Sequence, residues 1–304
     1  MSTLLAESPL HPPPNKQWSW IMNWNQQVTL ALLTALCIGC SAENRQSSSQ
    51  PTLESSKRAV ADGTHARLAQ GQGALTDLQL DPKTTILLGN GAFRISRSGP
   101  LRPAGNALTY VRSLEDASKR GDAVATYKVF LATLDCANTL KRTPPADVEN
   151  GDIAQSLAEC EGLLSDEDVA KTDWLSLAAE QGGIEAKLMY PVNPEYTLGD
   201  AQAFLKNPER VMEWKQRSMR YLDEAASNGS QDALLALSGA YENGVITRKD
   251  PMLAYAYAAA AERVSPVPYL PEGLEQMKSA LPAKDVRQAD LLIEKITSTC
   301  CKNK

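Results

Sequence analysis

The sequence predicts an all-α fold: a helical-repeat solenoid of antiparallel helix pairs, preceded by an irregular N-terminal segment. Three observations predict it. The phrase Leu–Ala–Gly–Ala at offsets 0, 3, 7 and 11 occurs three times: Leu114, Ala117, Gly121, Ala125; Leu175, Ala178, Gly182, Ala186; and Leu222, Ala225, Gly229, Ala233. Each copy reads as a helix end, a glycine stop and a helix start, and self-similarity over tens of residues argues for stacked helix pairs. Apolar residues recur with helical period from Ala107 onward. Ala is abundant and Phe scarce, which suits helices that touch through small side chains.

In chain order, residues 1–39 read as a leader, 40–60 as a flexible tether, 61–106 as an irregular segment and 107–304 as the helical-repeat domain. Val28 to Gly39 is an apolar run of about a dozen residues, short of the ~20 that span a bilayer and of secretory h-region length. Met22 offers an alternative start for that leader. Ser41 to Val60 is polar and poor in hydrophobes, a linker composition. Thr84 to Leu88 reads as a short strand and Gly89-Asn90-Gly91 as a turn. Helices are expected over Ala107 to Arg120, Asp122 to Leu140 and Val148 to Leu163. A further one is expected from a capped start at Ser165 to Asp168 as far as Gln181. Gly183 to Met189 is short, broken by Pro191 and Pro194. Pro208 to Asn228 is long. Pro266, Pro268 and Pro271 mark a bend, and Lys284 to Thr299 is an amphipathic cap.

The densest stretch is Tyr221 to Arg263. Leu222 and Ala225 share a face, and Gly229 stops their helix. Ser230 caps the next, where Ala233, Leu237, Ala240 and Tyr241 form one stripe. Gly244 ends it. Asp250 caps a third helix, with Pro251 at its first position and Ala254, Tyr257, Ala258 and Ala261 as its stripe. Tyr241, Tyr255, Tyr257 and Tyr269 read as packing residues rather than a ligand cage, except that Tyr255 falls off the stripe and is offered as a groove residue.

Ser230 to Glu262 resembles a Sel1-like repeat, a relative of the tetratricopeptide repeat. Ala233, Leu237, Tyr241, Gly244, Asp250, Ala254, Tyr257 and Ala261 carry the likeness, with Tyr257 where that family usually has Trp. Ala178 to Gly182 and Leu114 to Ala123 are similar to partial repeats. The resemblance implies a non-enzymatic adaptor that binds another protein or a peptide. The leader, with Gly39 and Cys40 ahead of a soluble tether, resembles a bacterial lipoprotein signal. That resemblance implies lipidation at Cys40, and Ser41 after it implies an outer-membrane lipoprotein facing the periplasm.

The net charge is −5 with Lys and Arg scattered among acids, which argues against nucleic acid as partner. Cys136 and Cys160 lie in helix-like segments and are expected to pair in an oxidising compartment. Cys300 and Cys301 are left open, because adjacent cysteines bridge only with strain. After Cys40 the sequence holds one histidine, His65. Histidine triads and multi-histidine metal sites are therefore excluded from a chain beginning there, and no metal or cofactor is expected. Carboxylates are numerous, so a periplasmic carboxylate-dependent carbohydrate hydrolase stays open as an alternative, alongside a purely structural lipoprotein.

Overall fold

The computed structural model describes residues 78–143, 151–268 and 270–301. The leader, the tether, Cys40, His65 and Tyr269 lie outside the described residues. Two short strands, β1 (Thr85–Leu87) and β2 (Phe93–Ile95), pair antiparallel around a turn at Gly89–Gly91, with Ile86 opposite Arg94. Among the described residues thirteen α-helices follow. They are α1 (Ala107–Lys119), α2 (Ala123–Arg142), α3 (Gly151–Leu164), α4 (Glu167–Lys171), α5 (Trp174–Glu180) and α6 (Ile184–Met189). Next come α7 (Pro194–Leu198), α8 (Ala201–Lys206), α9 (Pro208–Ser227), α10 (Gln231–Asn243), α11 (Pro251–Val264), α12 (Leu270–Ser279) and α13 (Ala283–Cys300). The fold is an all-α helical-repeat stack of antiparallel helix pairs.

The repeated phrase is one structure built three times. Gly121, Gly182 and Gly229 sit at φ 91°, 98° and 96°, a region where a side chain is strained. The N–H after each glycine, on Asp122, Gly183 and Ser230, donates back to Ala117, Ala178 and Ala225 at 3.0, 2.9 and 3.1 Å. The glycine N–H groups donate to Ser118, Ala179 and Ala226 at 2.9, 3.2 and 3.0 Å. This is the Schellman closure of a helix end. Asp122 and Ser230 then cap the following helices through Ala125 N–H and Ala233 N–H. Gly183 has no capping side chain, and the packing explains why: a Cβ there would lie 2.9 Å from Ala178 O and 3.1 Å from Ala123 Cβ. The second turn therefore rests directly on the start of α2.

These turns join repeats rather than the two helices of one repeat. Read as repeats, the pairs are α2 with α5, α6 with α9, and α10 with α11, and the helices that each turn joins, α1 with α2, α5 with α6 and α9 with α10, pack against each other as well. Helices α3 and α4 are inserted into the first pair, and α7 and α8 into the second, which is why the phrases are unevenly spaced. The third pair has only the loop from Gly244 to Asp250. Its core holds Leu222, Ala225, Ala233, Leu237, Tyr241, Ala254, Tyr257 and Ala261, all buried, with Phe93 of the hairpin and Ile184 of α6. The Tyr241 and Tyr257 rings stack at 5.7 Å across the pair. Burial drives both phenols up, Tyr241 to about 12.

One predicted helix is two. The chain expected to run helical to Gln181 breaks at Thr172, which is extended, and Asp173 restarts it by accepting from Ser176 N–H. The Trp174 indole N–H bonds to Val169 O at 2.9 Å across the break. The local cap at Asp173 thus outcompetes continuation of the helix.

Candidate interaction surface

The hairpin and the segment before it are bound to the repeat turns by main-chain hydrogen bonds. Gln79 N–H donates to Gly182 O at 3.1 Å and its carbonyl accepts from Ile184 N–H at 3.2 Å. The Gln79 side chain reaches the first turn as well: its amide donates to Gly121 O and Gln181 O and accepts from Ala123 N–H. One residue therefore ties two turns together. At the third turn, Phe93 N–H donates to Gly229 O at 2.9 Å, and Ile95 N–H donates to Asp232 Oδ2 at 2.6 Å. A Cβ on Gly229 would lie 2.9 Å from Gly91 O, so this glycine is needed for close approach as well as for its φ.

A polar clamp holds the same segment to α2 and α6. Glu185, 8% exposed, accepts from Arg97 Nε and Nη2 at 3.1 and 2.6 Å and from Thr84 Oγ1. Asp81, 5% exposed, meets Lys128 Nζ at 3.0 Å. Burial pushes the Asp81 carboxyl up, but Lys83 N–H, Lys128 and Arg97 outweigh it and hold it below the usual range. The Arg97 guanidinium lies 5.7 Å from the centre of the Tyr127 ring, and burial raises that phenol. Asp81 and Glu185 line one small cavity of about 10 Å³, room for about one water and not for a sugar ring. This carboxylate pair joins elements together, each acid being engaged by a cation.

A second ionic centre stands beside the first inserted helix. Arg102, 8% exposed, donates to Pro103 O, Gly105 O and Glu159 and approaches Cys160 Sγ at 3.6 Å. Its Nε lies 3.0 Å from Asp135 Oδ2 without hydrogen-bond alignment, so that contact is electrostatic. Cys136 of α2 and Cys160 of α3 form a disulfide and are fully buried. Cys300 and Cys301 are also bonded to each other, at the end of α13.

Tyr255 is corrected. It is not a groove residue: it is 6% exposed, packed with Ala256, Ala289 and Ile293. The stripe of α11 that faces α10 omits it, but α13 covers the opposite side of α11 and buries it there. The sequence reading missed Gln79, Arg97, Glu185, Arg102 and Gln231. Gln231 closes the end of α11 by donating to Ala261 O and Ser265 O. No motif marks these residues, because each acts on carbonyls or charges distant in sequence.

The hairpin leaves one edge open. Leu88 N–H to Ala92 O and Ser96 N–H to Thr84 O set residues 84, 86 and 88 facing β2, so Thr85 and Leu87 point their peptide groups outward. Thr85 N–H is taken by Asp81 O. Among the described residues nothing pairs with the Leu87 peptide, and its side chain is 78% exposed, beside Ile86 at 38%. The edge of β2, by contrast, is occupied by Gly229 and Asp232. No group of three or more His, Cys, Asp or Glu is placed to hold a metal among the described residues. No helix there is long and apolar enough to cross a membrane.

No protein-family model matches the chain, and no curated protein does. Among solved structures it is similar to the crystal structure of c5321, a protective antigen present in uropathogenic Escherichia coli strains displaying an SLR fold. The identity is 18%, over 63% of this chain and 49% of that one, with a TM-score of 0.29. The chain thus spans about half the length of that protein, and its own helix packing is what defines the fold.

Proposed function

We propose that the chain is a non-enzymatic adaptor of the bacterial cell envelope, anchored by lipid at Cys40 and binding another protein or a peptide. The open edge of β1 carries this reading. A partner in extended conformation can add its main chain to the outward peptide groups of Leu87, with Leu87 and Ile86 as apolar contacts. The hairpin is held against the turns by Phe93 N–H and Ile95 N–H, so the edge is pre-organised before a partner arrives, which lowers the ordering cost of binding. The buried Cys136–Cys160 disulfide suits an oxidising compartment, in keeping with export to the periplasmic side of the outer membrane.

The test is capture from envelope extracts with the full chain and with Leu87→Pro, which removes the outward N–H. A discrete protein retained by the parent chain and lost with the variant supports the reading. Equal retention by both, or none by either, sinks it. Labelling with radioactive palmitate, compared with Cys40→Ser, tests the anchor separately.

A further inference from the structure

We propose that the outward face of α13 is a docking surface for a second copy of this chain. Along α13, beside the end of α11, runs a shallow, solvent-open surface lined by Arg263, Arg287, Asp290, Leu291, Ile293 and Glu294. Ile293 is spoken for, being buried against Tyr255 and Ala289. Leu291 stands outside that seam and is 74% exposed. Arg287, Asp290 and Glu294 around it are exposed too.

The charge pattern says what covers this surface. A two-fold interface must be complementary to itself. Arg287, Leu291 and Glu294 fall at i, i+4 and i+7, one stripe of the helix. Laid antiparallel on the same stripe of another copy, each Arg287 meets the other copy's Glu294, and the two Leu291 side chains meet near the axis. Glu294 already accepts from Arg263 Nη1 at 2.6 Å through Oε1. Among the described residues Oε2 has no donor, and a carboxylate accepts on both oxygens. The surface carries cations and carboxylates in equal number, so a uniformly charged partner such as nucleic acid or an anionic headgroup layer gains nothing there. A single helix face offers less than the ~800 Å² per partner of a standard interface, so the dimer is weak, with Kd on the order of micromolar. The proposal concerns a different element from the β1 edge and does not rest on the adaptor reading.

The experiment is sedimentation equilibrium of the full chain in non-ionic detergent, which keeps the apolar run near the N-terminus dispersed. A concentration-dependent monomer–dimer equilibrium is expected. Arg287→Glu and Glu294→Arg alone should each weaken it about tenfold or more by setting like charges together. An equal mixture of the two variants should dimerise again, because the heterodimer regains opposite charges at both contacts. The double variant R287E/E294R should also recover, which shows that the substituted chains fold. A monomeric parent chain overturns the proposal. So does a dimer that survives either single reversal, since association then arises elsewhere, or a mixture that fails to restore it.

Discussion

The first and third helix pairs solve the same packing problem in different ways. In α10 and α11 the chain goes from one helix to the next through a short loop, and alanines let the backbones close on each other. Tyr241 and Tyr257 fill what remains, and no covalent link is present in that pair. Between α2 and α5 the chain inserts α3 and α4; Phe130, Leu131, Leu175 and Ala178 pack the pair itself, and a separate core of Val111, Val129, Ala132 and Leu163 seats α3 against α1 and α2, fastened by the Cys136–Cys160 bond and by Arg102. The comparison teaches that an insertion into a repeat adds a second core beside the nearest-neighbour contact on which such a stack depends. Here the insertion brings its own fastening.

The largest expected effect is at the third pair. Leu237 is fully buried, and Leu237→Ala should cost about 2–5 kcal/mol, read as a lowered midpoint in denaturant unfolding. A loss no greater than that of a surface substitution would show that the alanine interface is not the principal core. Next is Cys136→Ser. The bond closes a loop with a sequence separation of 24, so its removal should destabilise by roughly 3 kcal/mol. Hydrogen exchange should report that loss in α1 to α3 while α10 and α11 keep their protection. Uniform loss would mean the two ends are a single cooperative unit.

The glycine turns sharpen the contrast further. Gly121→Ala meets no atom within 4 Å and only its φ is strained, so about 1–2 kcal/mol is expected. Gly229→Ala adds a contact at 2.9 Å with Gly91 O, and should cost about 1–3 kcal/mol more and release Phe93. Equal melting shifts for the two variants would remove the special role of the third turn.

The smallest effect is in acid. The folded Asp81 carboxyl titrates below its unfolded value of ~3.9, so its stabilising contribution is complete above that pH and is lost as pH falls through the folded value. Burial raises the Asp232 carboxyl despite its bond from Ile95 N–H. Its effect therefore runs oppositely: stability is fully present below the unfolded value and diminishes as pH rises through the folded one. Asp81→Asn should flatten the acid limb of a stability–pH profile below about pH 4, and an unchanged limb would remove Asp81 as a contributor.

The repeat was legible because its marks are local. Gly121, Gly182 and Gly229 are read from offsets, and Ser230 and Asp250 cap as their side chains dictate. The hairpin docking was not legible, since Phe93 acts through its backbone, which any residue carries, and the Gln79 side chain bonds main-chain groups far away in sequence. Tyr255 misled for a related reason: a stripe seen from one neighbour hides the helix that arrives on the other side. The break at Asp173 turned on a cap competing with an uninterrupted helical pattern, and periodicity does not rank the two.

The docking of Gln79 carries a consequence for how the chain comes to be folded. Its carbonyl partner on Gln181 is 102 residues downstream, yet Gln79 is synthesised first. The Gln79 side chain can reach Gly121 and Ala123 once the first turn emerges, but its main chain has no partner until the second turn does, and the hairpin waits longer still for Gly229. Pairings of such long range slow folding, so Phe93 stays uncovered until Gly229 has been synthesised.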